Sequence, residues 1–122
     1  MKITRYEFCG EGLFNALDYL YGADMDREDA IEFSKVENIF ENNLPTPHYI
    51  SYDSSYGIPR FYFTEFGNKK FRKEINILVD LFDRYCSEFG TITKVTKSFD
   101  DNSSFKVIYK DRYQVLVQNN IF

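Results

Sequence analysis

The sequence has few of the residues that most often carry out catalysis or bind metal ions. It contains one histidine, His48, and two cysteines, Cys9 and Cys86, in 122 residues. A cysteine–histidine or serine–histidine mechanism would have to use His48, and one histidine with two distant cysteines lacks the ligand spacing of a metal site. We therefore expect no catalytic residues, no metal ion, no cofactor and no enzymatic activity. The two cysteines are predicted to be reduced thiols in the core.

Long apolar runs and an excess of basic residues are also absent. No segment approaches the roughly 18 apolar residues of a membrane span, and the first residues, MKITRYEF, lack the apolar core of a signal peptide. These features predict a cytoplasmic protein without membrane contact. The net charge is −4 and the pI is near 5.0, which argues against direct nucleic-acid binding. A protein partner with a basic surface fits this charge.

Aromatic residues are abundant, with 13 phenylalanines and 10 tyrosines but no tryptophan. Each of these side chains buries a large area, so a chain of this length can build a core from few positions. Ten tyrosines exceed what such a core needs, and some are expected at an interface, where a ring with a polar tip is suited to contact a partner. The length fits a single domain over residues 1–122.

The first two thirds of the sequence predict one strand and three helices. Polar and apolar residues alternate over 2–8, which is typical of a strand, and GEG at 10–12 predicts a turn. A short helix follows and ends at Gly22. A second helix is predicted over about 27–42, with Asp26 as its N-cap. Its apolar stripe consists of Ala30, Phe33, Val36, Ile39 and Phe40.

A long third helix is predicted from Glu65 to about Glu88, with Thr64 as its N-cap. Its apolar stripe comprises Phe71, Ile75, Leu78, Phe82, Tyr85 or Cys86, and Phe89, and it is widened by Ile77 and Leu81. Alternating patterns predict strands at 48–53 and 60–63 and in the last third of the chain, at 91–97, 105–110 and 113–118. The fold class is therefore α+β. We expect an antiparallel sheet with an N-terminal strand and a C-terminal β-meander, packed by one long helix and two shorter helices.

Acidic residues are concentrated between Asp24 and Glu41. This segment holds seven acids and two bases, a net charge of −5 in a chain of −4. One interpretation is an ordinary solvated helix face. The other is an acidic surface that docks on a basic groove of a partner.

The region after this segment adds basic and aromatic residues. Lys69, Lys70, Arg72 and Lys73 fall in the first turns of the predicted long helix, where the helix dipole disfavours cations. Tyr56 lies in a predicted turn near Arg60, and tyrosine with arginine is typical of interfaces. On the docking interpretation, the partner-binding residues are Asp24, Asp26, Glu28, Asp29, Glu32, Tyr56 and Arg60.

Two fragments, RYE followed by GEG and a predicted helix, and FYFTEFG with KKF, resemble small proteins of phages and mobile elements. Many such proteins of known role are inhibitors, including anti-CRISPR proteins, which are typically small, acidic and unrelated to one another. The resemblance implies a protein-binding inhibitor without identifying its target. As the function, we expect the inhibitor to block a nucleic-acid-binding nuclease of host defence by occupying a basic surface.

Two alternatives remain open. An immunity protein that neutralises a toxin would have the same size, charge and tyrosine content. A degenerate enzyme similar to ADP-ribosyltransferases would use Arg5 on the first strand and Ser51 on a central strand. That family also needs a glutamate near the last strands, and the chain has none after Glu88. Gln114 is the nearest polar residue there, and it cannot replace a carboxylate.

Overall fold

A computed structural model describes residues 1–45, 57–98 and 106–118. These residues form six strands and four helices. In chain order the elements are β1 (Lys2–Phe8), β2 (Glu11–Gly12), α1 (Leu17–Tyr21), α2 (Arg27–Asn43), β3 (Arg60–Thr64), α3 (Glu65–Lys70), α4 (Arg72–Tyr85), β4 (Thr93–Ser98), β5 (Lys106–Lys110) and β6 (Gln114–Gln118). None of the helices in the described ranges is long and apolar enough to cross a membrane.

The strands form an antiparallel sheet in the order β2-β1-β3-β6-β5, and β4 pairs with β1. Together with the helices, this confirms the α+β class. The C-terminal strands differ in one respect from the expected meander. β5 and β6 pair with each other because only the short turn at 111–113 separates them, whereas the segment between β4 and β5 is long enough for β4 to pair elsewhere. The strand predicted at 48–53 lies outside the described residues.

The chain divides into two compact units that are interleaved in sequence. The strand unit consists of Met1–Arg5, Pro47–Lys70 and Val95–Phe122, and the helical unit consists of Tyr6–Thr46 and Phe71–Lys94. The division cuts β1 and β4, so that each of these strands contributes to both units. A single domain over 1–122 stays a prediction.

The strand unit has its core where three strands meet. β3 pairs with β6 in a register that places Tyr62 opposite Val115, and β1 pairs with β3 through Ile3 and Thr64. Ile3, Tyr62, Val115 and Val117 form a fully buried cluster. The pairing of the strands thus brings one or two side chains from each of β1, β3 and β6 into this core.

The helix predicted from Glu65 to Glu88 is two helices, α3 and α4, and the break is at Phe71 (φ −100°, ψ 15°). The Thr64 hydroxyl caps α3 by accepting from the backbone N–H of Gly67 at 3.0 Å, as predicted, and it donates to the carbonyl of Arg112 at 2.7 Å. These bonds fix α3 within the strand unit, whereas Phe71 is buried in the helical unit. The second segment ends at Tyr85, earlier than predicted.

The helical unit packs α4 against α2 and α1. The predicted stripe is confirmed at its buried members Phe71, Ile75, Leu78, Leu81, Phe82 and Cys86. It is wrong at Phe89, which lies after α4 and is 57% exposed. Ring contacts continue this core, with centroids 5.1 Å apart for Phe40 and Phe71 and 4.7 Å apart for Phe8 and Phe82. The predicted stripe of α2 is correct at Phe33, Val36 and Phe40, but Ala30 and Ile39 are exposed.

The turn after β1 connects β1 and β2 as a tight hairpin. Phe8 pairs with Glu11, and the two residues between them, Cys9 and Gly10, both have positive φ angles of 51° and 80°. This pattern defines a type I′ turn, in which glycine is favoured. Both cysteines are free thiols. Their predicted place in the core is correct for Cys86, which is buried, and wrong for Cys9, which is exposed at the turn.

Candidate functional site

The charges of the chain are separated between the two units. Over its sequence, the strand unit has nine basic and five acidic residues, a net charge of +4. The helical unit has six basic and fourteen acidic residues, a net charge of −8. The whole-chain value of −4 therefore combines a basic unit with a strongly acidic one. The acidic segment at 24–41 belongs entirely to the acidic unit.

Four of the predicted acidic site residues are exposed around the start of α2. Asp24 and Asp26 precede the helix, and Glu28 and Glu32 lie one turn apart on it. The Asp26 side chain also accepts from the backbone N–H of Asp29 at 2.9 Å, which confirms it as the N-cap. The helix and its cap thus place these carboxylates at one end of α2.

Asp29 differs from these four, because it is held by two residues of α4. Its carboxylate accepts hydrogen bonds from Arg84 at 2.8 and 2.7 Å and from the hydroxyl of Tyr85 at 2.5 Å. The Asp29 side chain is only 16% exposed. The hydrogen bonds from Tyr85 and then from Arg84 lower the pKa of Asp29. Asp29 therefore joins α2 to α4, which the local sequence could not show.

Two isoleucines share the outward side of α2 with the acids. Ile31 is 46% exposed and Ile39 is 36% exposed. They stand three and eleven positions after Glu28, so they share a helix face with it. We call this the outer face of α2, and it consists of Glu28, Ile31, Glu32, Lys35 and Ile39. The sequence prediction missed its apolar component because it placed Ile39 in the buried stripe and did not single out Ile31.

A groove of about 280 Å³ runs along a neighbouring flank of α2. Its lining comprises Leu20, Tyr21, Ala23, Asp24, Met25, Ala30, Phe33, Ser34 and Glu37. The Tyr21 and Phe33 rings lie 5.3 Å apart between centroids, and the Tyr21 hydroxyl donates a hydrogen bond to the Glu37 carboxylate. Burial, and then the nearby carboxylate of Glu41, raise the pKa of Glu37. The groove thus combines two aromatic rings with two carboxylates.

The remaining predicted site residues belong to the strand unit. Arg60 is half-buried at the start of β3, where it pairs with Val117 of β6. Tyr56 lies outside the described residues, as do His48 and Ser51. The acids of the helical unit are thus the part of the predicted site that the structure describes most fully.

The break between α3 and α4 changes the interpretation of the basic cluster. Lys69 and Lys70 occupy the last turn of α3, where the helix dipole favours cations, and only Arg72 and Lys73 stand at the start of a helix.

The strand unit also carries a stack of cations and rings. The Arg112 guanidinium lies 4.3 Å from the centre of the Phe66 ring, and the Lys70 ammonium lies 6.0 Å from that of Tyr113.

Arg5 and Gln114, which were considered for the transferase alternative, are both bonded to neighbouring parts of the strand unit. Arg5 is buried and donates to the carbonyl of Phe61 at 3.2 Å, linking β1 to β3. Gln114 is buried and its side-chain amide donates to Asp111 at 2.9 Å.

Within residues 1–45, 57–98 and 106–118, no three histidine, cysteine, aspartate or glutamate side chains form a group that could hold a metal ion.

No family model, curated protein or solved structure matches this chain. The charges and surfaces of the two units are therefore the features that indicate a function.

Proposed function

We propose that this chain is a small protein-binding inhibitor whose acidic helical unit occupies a basic surface of its partner. The observation that carries this proposal is the outer face of α2, where two exposed isoleucines lie with two carboxylates and one lysine. Apolar side chains that become buried on binding supply affinity. Carboxylates around them favour a basic partner and speed association.

The net charge of the helical unit supports the same conclusion. At −8, this unit has twice the magnitude of the whole-chain charge. A groove that binds nucleic acid is strongly basic, because it must neutralise phosphates. An acidic helix that fills such a groove would exclude the nucleic acid. We therefore propose a nucleic-acid-binding nuclease of host defence as the partner, in agreement with the resemblance to phage inhibitors.

The proposal can be tested by affinity capture from a host lysate, followed by an activity assay on the captured protein. The parent chain should capture a basic protein and inhibit its binding of nucleic acid. The variant Glu28→Lys/Glu32→Lys should lose both effects, because it places cations against a basic surface. The control is Asp80→Lys/Asp83→Lys, which makes the same change of charge at two exposed acids of α4.

The two variants distinguish a specific face from a general effect of charge. The control should capture and inhibit nearly as well as the parent. If both variants lose binding equally, the outer face of α2 has no special role. If the captured protein is a toxin and not a nucleic-acid-binding nuclease, the chain is an immunity protein and the nuclease proposal is wrong.

A further inference from the structure

The groove beside α2 has the size of a pocket for one side chain. Its volume is about 280 Å³, below the roughly 300–1,000 Å³ of pockets that take drug-sized ligands. It is open to solvent beside Tyr21, whose side chain is largely exposed. A group that protrudes from a partner can therefore enter it.

The chemistry of the lining selects a cation. Asp24 and Glu37 contribute carboxylates, and Tyr21 and Phe33 contribute ring faces and edges. No lysine or arginine is among the described residues that line the groove. The hydrogen bond from Tyr21 holds the Glu37 carboxylate beside the rings. An incoming cation would thus meet both partial negative charge on a ring and full negative charge on a carboxylate.

We propose that this groove binds the guanidinium group of an arginine on the partner protein. Guanidinium is planar, stacks on aromatic rings and donates two parallel hydrogen bonds to a carboxylate, whereas the ammonium of lysine is a compact and strongly hydrated charge. The inference rests on the proposed function, because the arginine belongs to the protein that contacts α2. The bound arginine would add one specific side-chain contact to the long-range electrostatic attraction between the two proteins.

The test uses a small probe, so that no partner is required. N-acetyl-arginine amide is titrated into the isotopically labelled chain, and amide signals are followed by NMR. We expect saturable shifts confined to residues around Tyr21–Met25 and Phe33–Glu37, with a dissociation constant on the order of 1 mM for so small a ligand. The corresponding lysine derivative should bind more weakly. The citrulline derivative, which has nearly the same shape without the charge, should not bind measurably.

Matched variants assign the binding to the groove. Glu37→Gln keeps an acceptor for the Tyr21 hydroxyl but removes the charge, and it should weaken arginine binding about tenfold or more. Tyr21→Phe keeps the ring and removes the hydroxyl that holds Glu37, so a smaller loss is expected. Asp80→Asn removes an exposed charge from α4, outside the lining, and it should leave binding nearly unchanged.

Several outcomes would overturn the inference. These are equal binding of arginine and citrulline derivatives, equal binding of arginine and lysine derivatives, unchanged binding in Glu37→Gln, or shifts located elsewhere in the chain. Because the probe assay contains no partner, its failure rejects the arginine pocket alone. Failure of the capture experiment with the α2 variants would instead reject the proposed docking face.

Discussion

Asp29 has a structural role that the acids beside it do not share. Its partners, Arg84 and Tyr85, follow it by 55 and 56 residues. Tyr85 also accepts from the backbone N–H of Asp26 at 3.2 Å, so the first turn of α2 is fixed to the end of α4 by two contacts with one hydroxyl. A charge reversal at Asp29 would therefore disturb the fold as well as the surface. For this reason, the variant that tests docking changes only Glu28 and Glu32.

The contacts of Asp29 predict how stability depends on pH. The pKa of its carboxyl group is lowered by hydrogen bonds from Tyr85 and Arg84, from an ordinary value of 3.8. The folded state therefore binds its proton less readily than the unfolded state does. The resulting stabilisation is complete above the ordinary value and is lost as the pH falls through the lowered pKa of the folded state.

We expect Asp29→Asn to unfold at a lower temperature than the parent near neutral pH, with a difference that shrinks as the pH falls below 3.8. Thermal unfolding followed by circular dichroism over this range measures the difference. Asp80→Asn, a change at an exposed acid of α4, is the control and should show no comparable pH dependence. A deficit of Asp29→Asn that stays constant to the lowest pH would mean that the ion pair is not its cause.

At the scale of elements, α3 is positioned by a close approach of backbone to backbone. Gly67 is buried against the turn between β5 and β6, and a Cβ atom added to it would lie 2.0 Å from the carbonyl oxygen of Tyr113. The turn itself is fixed by Asp111, whose carboxylate accepts from the backbone N–H groups of Tyr113 and Gln114. Neither side of this contact can move without breaking hydrogen bonds.

We therefore expect Gly67→Ala to destabilise the chain. Alanine stabilises a helix by about 1 kcal/mol relative to glycine. Here, however, the added methyl group would clash with backbone atoms, and overpacking of this kind typically lowers the free energy of unfolding by about 1–3 kcal/mol or more. Urea unfolding measures the net loss. Gly22→Ala is the matched control, since its Cβ would come no closer than 3.6 Å to the carbonyl oxygen of Asp18. Equal stability of Gly67→Ala and the parent would show that α3 does not dock in this way.

At the scale of the whole molecule, the charges of the two units indicate more about a binding partner than the net charge of the chain does. The net charge of −4 is the sum of one unit of −8 and one of +4. Each unit presents its own field to molecules within about 10 Å at 0.1 M salt. The helical unit can therefore attract a basic surface despite the cations elsewhere in the chain.

This charge distribution predicts a strong salt dependence of association. With the captured partner on a sensor surface, the association rate of the parent should fall as salt is raised, while dissociation changes less. The rate of Glu28→Lys/Glu32→Lys should be lower at low salt and should approach that of the parent at high salt, where exposed charges are screened. If this variant binds as tightly as the parent at low salt, the acidic residues form only a solvated helix face.

The sequence by itself determined the α+β class, most strand positions and the acidic segment. Alternation and the apolar stripe of α4 are local patterns, and each element has to bury its apolar side whatever the rest of the chain does. The caps at Asp26 and Thr64 were predictable for the same reason, because a cap bonds to the helix that directly follows it. Net charge also follows from composition alone.

Only the tertiary structure decided which residues of these patterns are buried or bonded to distant residues and which are exposed. The break between α3 and α4 lies at Phe71, and no local signal in the sequence marks this position. The exposure of Ile39 depends on where α4 covers α2, and the role of Asp29 depends on side chains more than fifty residues away. The groove arises in the same way, because α1 and α2 bring Tyr21 and Glu37 together. Contacts between residues far apart in the sequence decide which side chains are buried, and the sequence around one residue does not contain that information.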